Sequence, residues 1–132
     1  MNTKPRQCLV AFAAGLFTGA ISYGIYRLTG GAPAPVSTLP KILLICLAGP
    51  LLEEAIFRGI AYKAAKPYIG EKWAVILCAA LFGLAHWGIP QSFLAFGAGL
   101  VFGVLRMKHN TVISPILAHT AANILLVILQ TV

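Results

Sequence analysis

Apolar residues come in long blocks along this chain, and the polar residues between them mark the ends of five predicted helices. The first block extends from Cys8 to about Leu28, behind Lys4 and Arg6. Gly30, Gly31, Pro33, Pro35 and Pro40 make residues 29–40 a loop. A second block covers residues 41 to about 65, and Lys66, Pro67, Gly70, Glu71 and Lys72 form a polar connection after it. The third block runs from Trp73 to Trp87 and is broken by Gly88 and Pro90. The fourth spans about Gln91 to Met107, the next turn holds Arg106, Lys108, His109 and Asn110, and the fifth block occupies Val112 to Val132. An α-helix needs roughly 20 apolar residues to cross the bilayer core, with about 17 as the lower limit. Blocks three and four lie near that limit and read as separate thin or tilted spans. Gly15-x-x-x-Gly19 and Gly99-x-x-x-Gly103 predict places where helices pack closely.

Composition says what solvent those blocks require. The chain has 132 residues, of which 59% are hydrophobic and 10% charged, and its mean hydropathy is +0.88. A soluble domain carries about a quarter charged residues, and one this short cannot bury so much apolar surface. The expected fold is therefore all-α, a polytopic membrane bundle of about five transmembrane helices in one domain covering 1–132. A positive start before an apolar stretch is also the form of a signal peptide, but this stretch is long enough to span.

The net charge is +7, from 10 basic against 3 acidic residues. The basic residues sit singly between apolar blocks without a basic stripe or aromatic platform, so they predict no nucleic-acid partner. They read instead as topology signals and contacts to anionic lipid headgroups. With the N-terminus inside, Lys4, Arg6, Lys63, Lys66, Lys72, Arg106 and Lys108 fall on the cytoplasmic side, against Arg27 and Lys41 at the outer ends. That asymmetry predicts a cytoplasmic N-terminus. Cys8, Cys46 and Cys78 are too scattered for a disulfide framework or zinc knuckle and read as small buried hydrophobes.

Against this background, a few polar residues stand out. Glu53 and Glu54 lie deep in the second block, where each acidic group costs roughly 2.5–3.5 kcal/mol on insertion scales. Arg58 is one helical turn after Glu54 and shares its face, so the two can pair. Glu53 points about 100° away, free to face the interior. His86 ends the third block, and His119 and Asn123 share a face of the fifth. His109, in a basic turn, reads as a solvated loop residue. Counting about 1.5 Å per residue from the inner flanks puts Glu53 and His119 near 15 Å, and His86 and Asn123 near 21 Å. Allowing for tilt, one polar layer is expected. No Ser, Cys or Thr is suitably placed beside a base, so a covalent acyl intermediate is not expected.

Glu53-Glu54-Ala55-Ile56-Phe57-Arg58-Gly59, Phe82 to His86, and His119 to Asn123 reproduce EExxxR, FxxxH and HxxxN in order on successive hydrophobic helices. The set resembles the CAAX-protease and bacteriocin-processing (CPBP, or ABI) family, related to type II CAAX prenyl endopeptidases. The resemblance covers 41–132 as a four-helix catalytic core and leaves the first helix, 8–28, outside it. It implies an intramembrane endopeptidase of a prokaryotic cell membrane, acting on a membrane-associated peptide or protein. Its catalytic residues would be Glu53, Glu54, His86, His119 and Asn123, with Arg58 as structural support. Desolvation makes a carboxylate a better base, which suits Glu53 to activating water, with His86 assisting. His119 and Asn123 would donate to the oxyanion. A zinc ion on Glu53, His86 and His119 is the alternative chemistry. The metal-free route is the expectation, since HExxH is absent and Asn123 suits an oxyanion donor better than a ligand. A non-enzymatic immunity or scaffold protein of the same fold, and a small proton-coupled transporter, are the competing functions.

Overall fold

A computed structural model describes residues 4–31 and 34–132, and it consists of five helices in a single bundle. They are α1 (Pro5–Thr29), α2 (residues 39–69), α3 (Glu71–Leu84), α4 (Ile89–His109) and α5 (Ile113–Thr131). Among them α1, α4 and α5 are each long and apolar enough to cross a membrane. The 14 residues of α3 rise only about 21 Å, so α3 is the short member of the bundle. Pro33 of the predicted loop lies outside the described residues.

The bundle is inside-out relative to a soluble protein. Leu51, Leu52, Ile56 and Ile60 are exposed on α2, while Glu54 and Arg58 of the same helix have no exposed surface. Apolar side chains can face outward here because lipid tails cover them, so helix contact rests on close fit rather than on hydrophobic burial. Small residues supply that fit. A Cβ at Gly15 would lie 2.1 Å from the Ala118 carbonyl oxygen, and one at Gly19 would lie 2.8 Å from that of Ala122. Thus α1 runs parallel to α5, backbone against backbone. Gly99 brings α4 onto the Ala79 backbone of antiparallel α3, and Gly103 makes room for the Val75 side chain.

Several boundaries differ from those expected. Lys66 and Pro67 belong to the last turns of α2, because the stop comes at Gly70, whose φ of 82° favours glycine. Helix α3 begins at Glu71 and ends at Leu84, so His86 lies in the following turn rather than on the helix. Helix α4 runs on to His109 before Asn110 turns left-handed at φ 51°. Arg106 is therefore not a loop charge: it is buried, with its guanidinium over the Tyr62 ring. Six basic residues, not seven, then remain at that end of the bundle. His109 is half-buried and bonded through Nδ1 to the Ser114 hydroxyl at 2.8 Å. This is a His–Ser pair the sequence did not suggest, but Ser114 is fully buried and unavailable to a substrate. Cys46 and Cys78 are buried and Cys8 is half-buried, all free thiols.

Helix α2 is not a uniform α-helix. Between α-helical turns it carries two π-helical segments, Leu44–Ala48 and Ala55–Ala61. In the first, Gly49 N–H reaches back five residues to the Leu44 carbonyl. The Ile45 carbonyl then loses that donor, and Pro50 has no N–H to offer it. Asn123 Nδ2 of α5 donates to it instead, at 2.9 Å. In the second, Tyr62 N–H bonds to Phe57, and Arg106 Nε of α4 donates to the Arg58 carbonyl at 3.1 Å. A carbonyl that the π turns shift out of register is thus taken up by a side chain from another helix in each case, as burial in an apolar medium requires.

Candidate active site

The paired carboxylates of α2 diverge as the helical geometry predicts. Glu54 is fully buried and Arg58 Nη1 donates to its Oε1 at 3.1 Å. The Arg58 Nη2 donates to the Gly99 carbonyl at 2.9 Å, and its guanidinium lies over the Phe82 ring at 4.6 Å. Gly99 lets α4 come this close: an added Cβ would stand 3.2 Å from Arg58 Nη2. The charge is thus held by a carboxylate, a carbonyl and an aromatic face, the kind of enclosure a guanidinium needs out of water.

Glu54 has a second partner that the sequence did not reveal. His119 Nδ1 lies 2.9 Å from the same Oε1. A carboxylate oxygen accepts, so Nδ1 carries the proton and the ring is fixed with Nε2 on the opposite side. Phe102 stacks on the imidazole at 5.0 Å between centroids, and Phe82 meets it edge-on at 5.6 Å. His119 Nε2 in turn lies 3.8 Å from Glu53 Oε2. Arg58, Glu54, His119 and Glu53 therefore form one line across the bundle, from a closed interior to an open space.

That space is a cavity of about 500 Å³, a size common for ligand sites. Glu53, His86, His119 and Asn123 all line it. The expected gathering of these four residues is observed, although His86 arrives on a turn and not on a helix. His86 Nδ1 donates to the Phe82 carbonyl at 2.8 Å, which leaves Nε2 as the acceptor of a neutral ring. Asn123 uses one N–H on Ile45 and keeps its other N–H and its oxygen. Glu53 is about one-third exposed, and its buried Oε2 has no hydrogen-bond partner.

The three hydroxyl residues Thr18, Ser22 and Tyr26 of α1, which also line the cavity, were missed from sequence, and Arg106 was read only as a flanking charge. The hydroxyl residues recur at i, i+4 and i+8, a signal open to reading. The Gly49-Pro50 pair likewise flags the unpaired carbonyl that Asn123 takes up. Among the described residues no three His, Cys, Asp or Glu side chains are gathered closely enough to hold a metal ion. The zinc set Glu53, His86 and His119 lines one cavity.

Comparison with known proteins bears on what such a site belongs to. The profile of the type II CAAX prenyl endopeptidase Rce1-like family matches residues 35–125. The chain belongs to this family. A relative from Bacillus subtilis (strain 168), named "Putative membrane peptidase YdiL", is 28% identical over 129 residues. The alignment covers 92% of this chain and 52% of the relative, so the chain spans about half the relative's length. No solved structure matches the chain. The family match starts after α1, although α1 supplies one wall of the cavity. Family and helices together make the chain an integral membrane protein of a protease family.

Proposed function

We propose that this chain is an intramembrane endopeptidase that hydrolyses a peptide bond of a membrane-associated peptide or protein with a water activated by Glu53. The observation that carries the reading is the facing pair of Glu53 Oε2 and His119 Nε2, 3.8 Å apart in the cavity wall. That gap is too long for a direct hydrogen bond, and Oε2 is closed to water, so Glu53 Oε1 is the oxygen that takes the water beside His119. Glu53 accepts a proton from the water as its oxygen bonds to the scissile carbonyl carbon. The C–N bond then breaks, and the proton passes from Glu53 to the leaving nitrogen. Glu54 holds His119 through Nδ1–H, as a buried carboxylate orients an imidazole in hydrolytic triads. With Nδ1–H given to Glu54, His119 Nε2 accepts from the attacking water rather than donating to the oxyanion, and the free N–H of Asn123 supplies the oxyanion donor. His86 Nε2 accepts from the attacking water or the substrate amide.

No step is routed through a metal ion, and the reading is of a metal-free enzyme. Six basic residues at one end of the bundle favour a cytoplasmic N-terminus in a prokaryotic cell membrane, with lipids around the exposed Leu and Ile side chains. The cavity runs away from that end, toward Tyr26, Gln91 and Gln130, so its mouth lies on the non-cytoplasmic side. The test is hydrolysis of an apolar fluorogenic peptide in detergent. Turnover should vanish in Glu53→Gln and survive a chelator. Loss of turnover with the chelator would mean metal chemistry; an active Glu53→Gln would remove the proposed base.

A further inference from the structure

The α1 wall of the cavity carries a feature that the catalytic reading does not use. Thr18, Ser22 and Tyr26 lie on one face of α1 at successive four-residue steps, and each has no more than 9% of its surface exposed. All three line the cavity that holds Glu53 and His119. Thr18 donates to the Ala14 carbonyl of its own helix at 2.7 Å. The hydroxyls of Ser22 and Tyr26 make no hydrogen bond among the described residues. Neither hydroxyl is among the polar atoms closed off without a partner, so both open onto the cavity and are free to bond a ligand there that has matching polar groups. The helix that bears them is clamped in place, because Gly15 and Gly19 seat its backbone directly on Ala118 and Ala122 of α5. The seat lies in the same stretch of α5 as His119 and Asn123. The hydroxyls are therefore held at a fixed offset from the candidate catalytic groups.

We propose that α1 is the substrate-positioning wall of this site, and that the Ser22 and Tyr26 hydroxyls bond to the backbone of an extended peptide running along it toward Glu53. The inference rests on the endopeptidase reading and adds the form in which the substrate is bound. Spacing supports it. The backbone positions of Ser22 and Tyr26, four residues apart on a helix, are separated by a rise of about 6 Å. An extended chain presents N–H and C=O of every second residue on the same edge, with a repeat of about 6.7 Å. A hydroxyl both donates and accepts, so each can serve one such residue. The lining also includes Leu94, Ala95, Ala98 and Leu126, which suits apolar side chains projecting from the faces of the extended substrate. Backbone reading of this kind tolerates many sequences provided that the peptide is unfolded.

A binding cycle tests the proposal independently of hydrolysis. The probe is a fluorophore-labelled octapeptide of alternating alanine and leucine, with a twin whose four central N–H groups are replaced by ester oxygens. Fluorescence anisotropy is read on the full chain in detergent, with Glu53→Gln to limit turnover and protein-free micelles as the partition control. The amide probe should bind Glu53→Gln roughly 10- to 30-fold more tightly than Glu53→Gln carrying Ser22→Ala and Tyr26→Phe, two lost hydrogen bonds. The ester twin should bind the two proteins with a much smaller difference, which ties the loss to the peptide backbone. Equal binding of the amide probe to both proteins, the same loss for both probes, or no binding beyond the micelle control would overturn the proposal. Hydrolysis by Glu53→Gln reads the base alone, so either inference can fail without the other.

Discussion

The two halves of the bundle treat polar groups in opposite ways. Toward the basic end, Arg58 is bonded to Glu54 and Gly99, Arg106 to the Arg58 carbonyl and Asn110, and His109 to Ser114. Toward the other end, Glu53, His86, Asn123, Ser22 and Tyr26 line an open cavity with bonding capacity to spare. The closed half resembles a structural core assembled from charges, with Glu54 Oε2 and Arg58 Nε its unpartnered atoms among the described residues, and the open half resembles a binding site. Their boundary falls between two adjacent residues of α2, where Glu54 faces the closed half and Glu53 the open one. On the proposed reading, stability and chemistry are thus separable along a single helix.

The largest effect on that contrast is expected from Arg58→Met. It leaves Glu54 buried without its cation, a loss of about 3–5 kcal/mol, and the melting temperature in detergent should fall steeply. Pairing it with Glu54→Gln should recover part of the loss, because no buried charge is then left alone. Gly15→Leu comes next. Its Cβ would fall 2.1 Å from the Ala118 carbonyl, so α1 must lift off α5 at about 1–3 kcal/mol or more. Gly24→Ala, where nothing lies within 4 Å, should be harmless in the same melting experiment. The smallest stability change is expected for Asn123→Ala. It frees the Ile45 carbonyl at about 1 kcal/mol, yet it should lower turnover by about 10²-fold if its other N–H meets the oxyanion.

What the sequence made legible follows from how local each relation is. The divergence of Glu53 and Glu54 needed only the 100° step of a helix and the four-residue spacing to Arg58, and the structure has Glu54 on Arg58 and Glu53 on the cavity. The common polar layer needed only rise per residue, and the four residues do share a cavity. The GxxxG contacts were visible because small residues have few other uses inside a membrane. The contact between His119 and Glu54 depends on how α5 is rotated against α2, which no spacing within one helix encodes. The π turns of α2 were hidden for a related reason. They change the register between hydrogen bonds while the apolar pattern continues unbroken, and Gly49-Pro50 is their only local trace. Arg106 was misread because a basic residue near a predicted turn looks the same whether it faces solvent or folds back onto a carbonyl. His86 was placed on a helix because apolar residues continue to Trp87, whereas the backbone turns after Leu84.

The most direct measurement compares the two neighbouring carboxylates in a single preparation, recording peptide hydrolysis and thermal unfolding for Glu53→Gln and Glu54→Gln. The account predicts that Glu53→Gln unfolds close to the parent temperature while turnover drops about 10²- to 10⁴-fold, as loss of a general base does. Glu54→Gln should instead unfold at a clearly lower temperature, because Arg58 is left without its anion. A Glu53→Gln protein that hydrolyses at the parent rate, or a Glu54→Gln protein that is as stable as the parent, would contradict the separation of roles on which the reading stands.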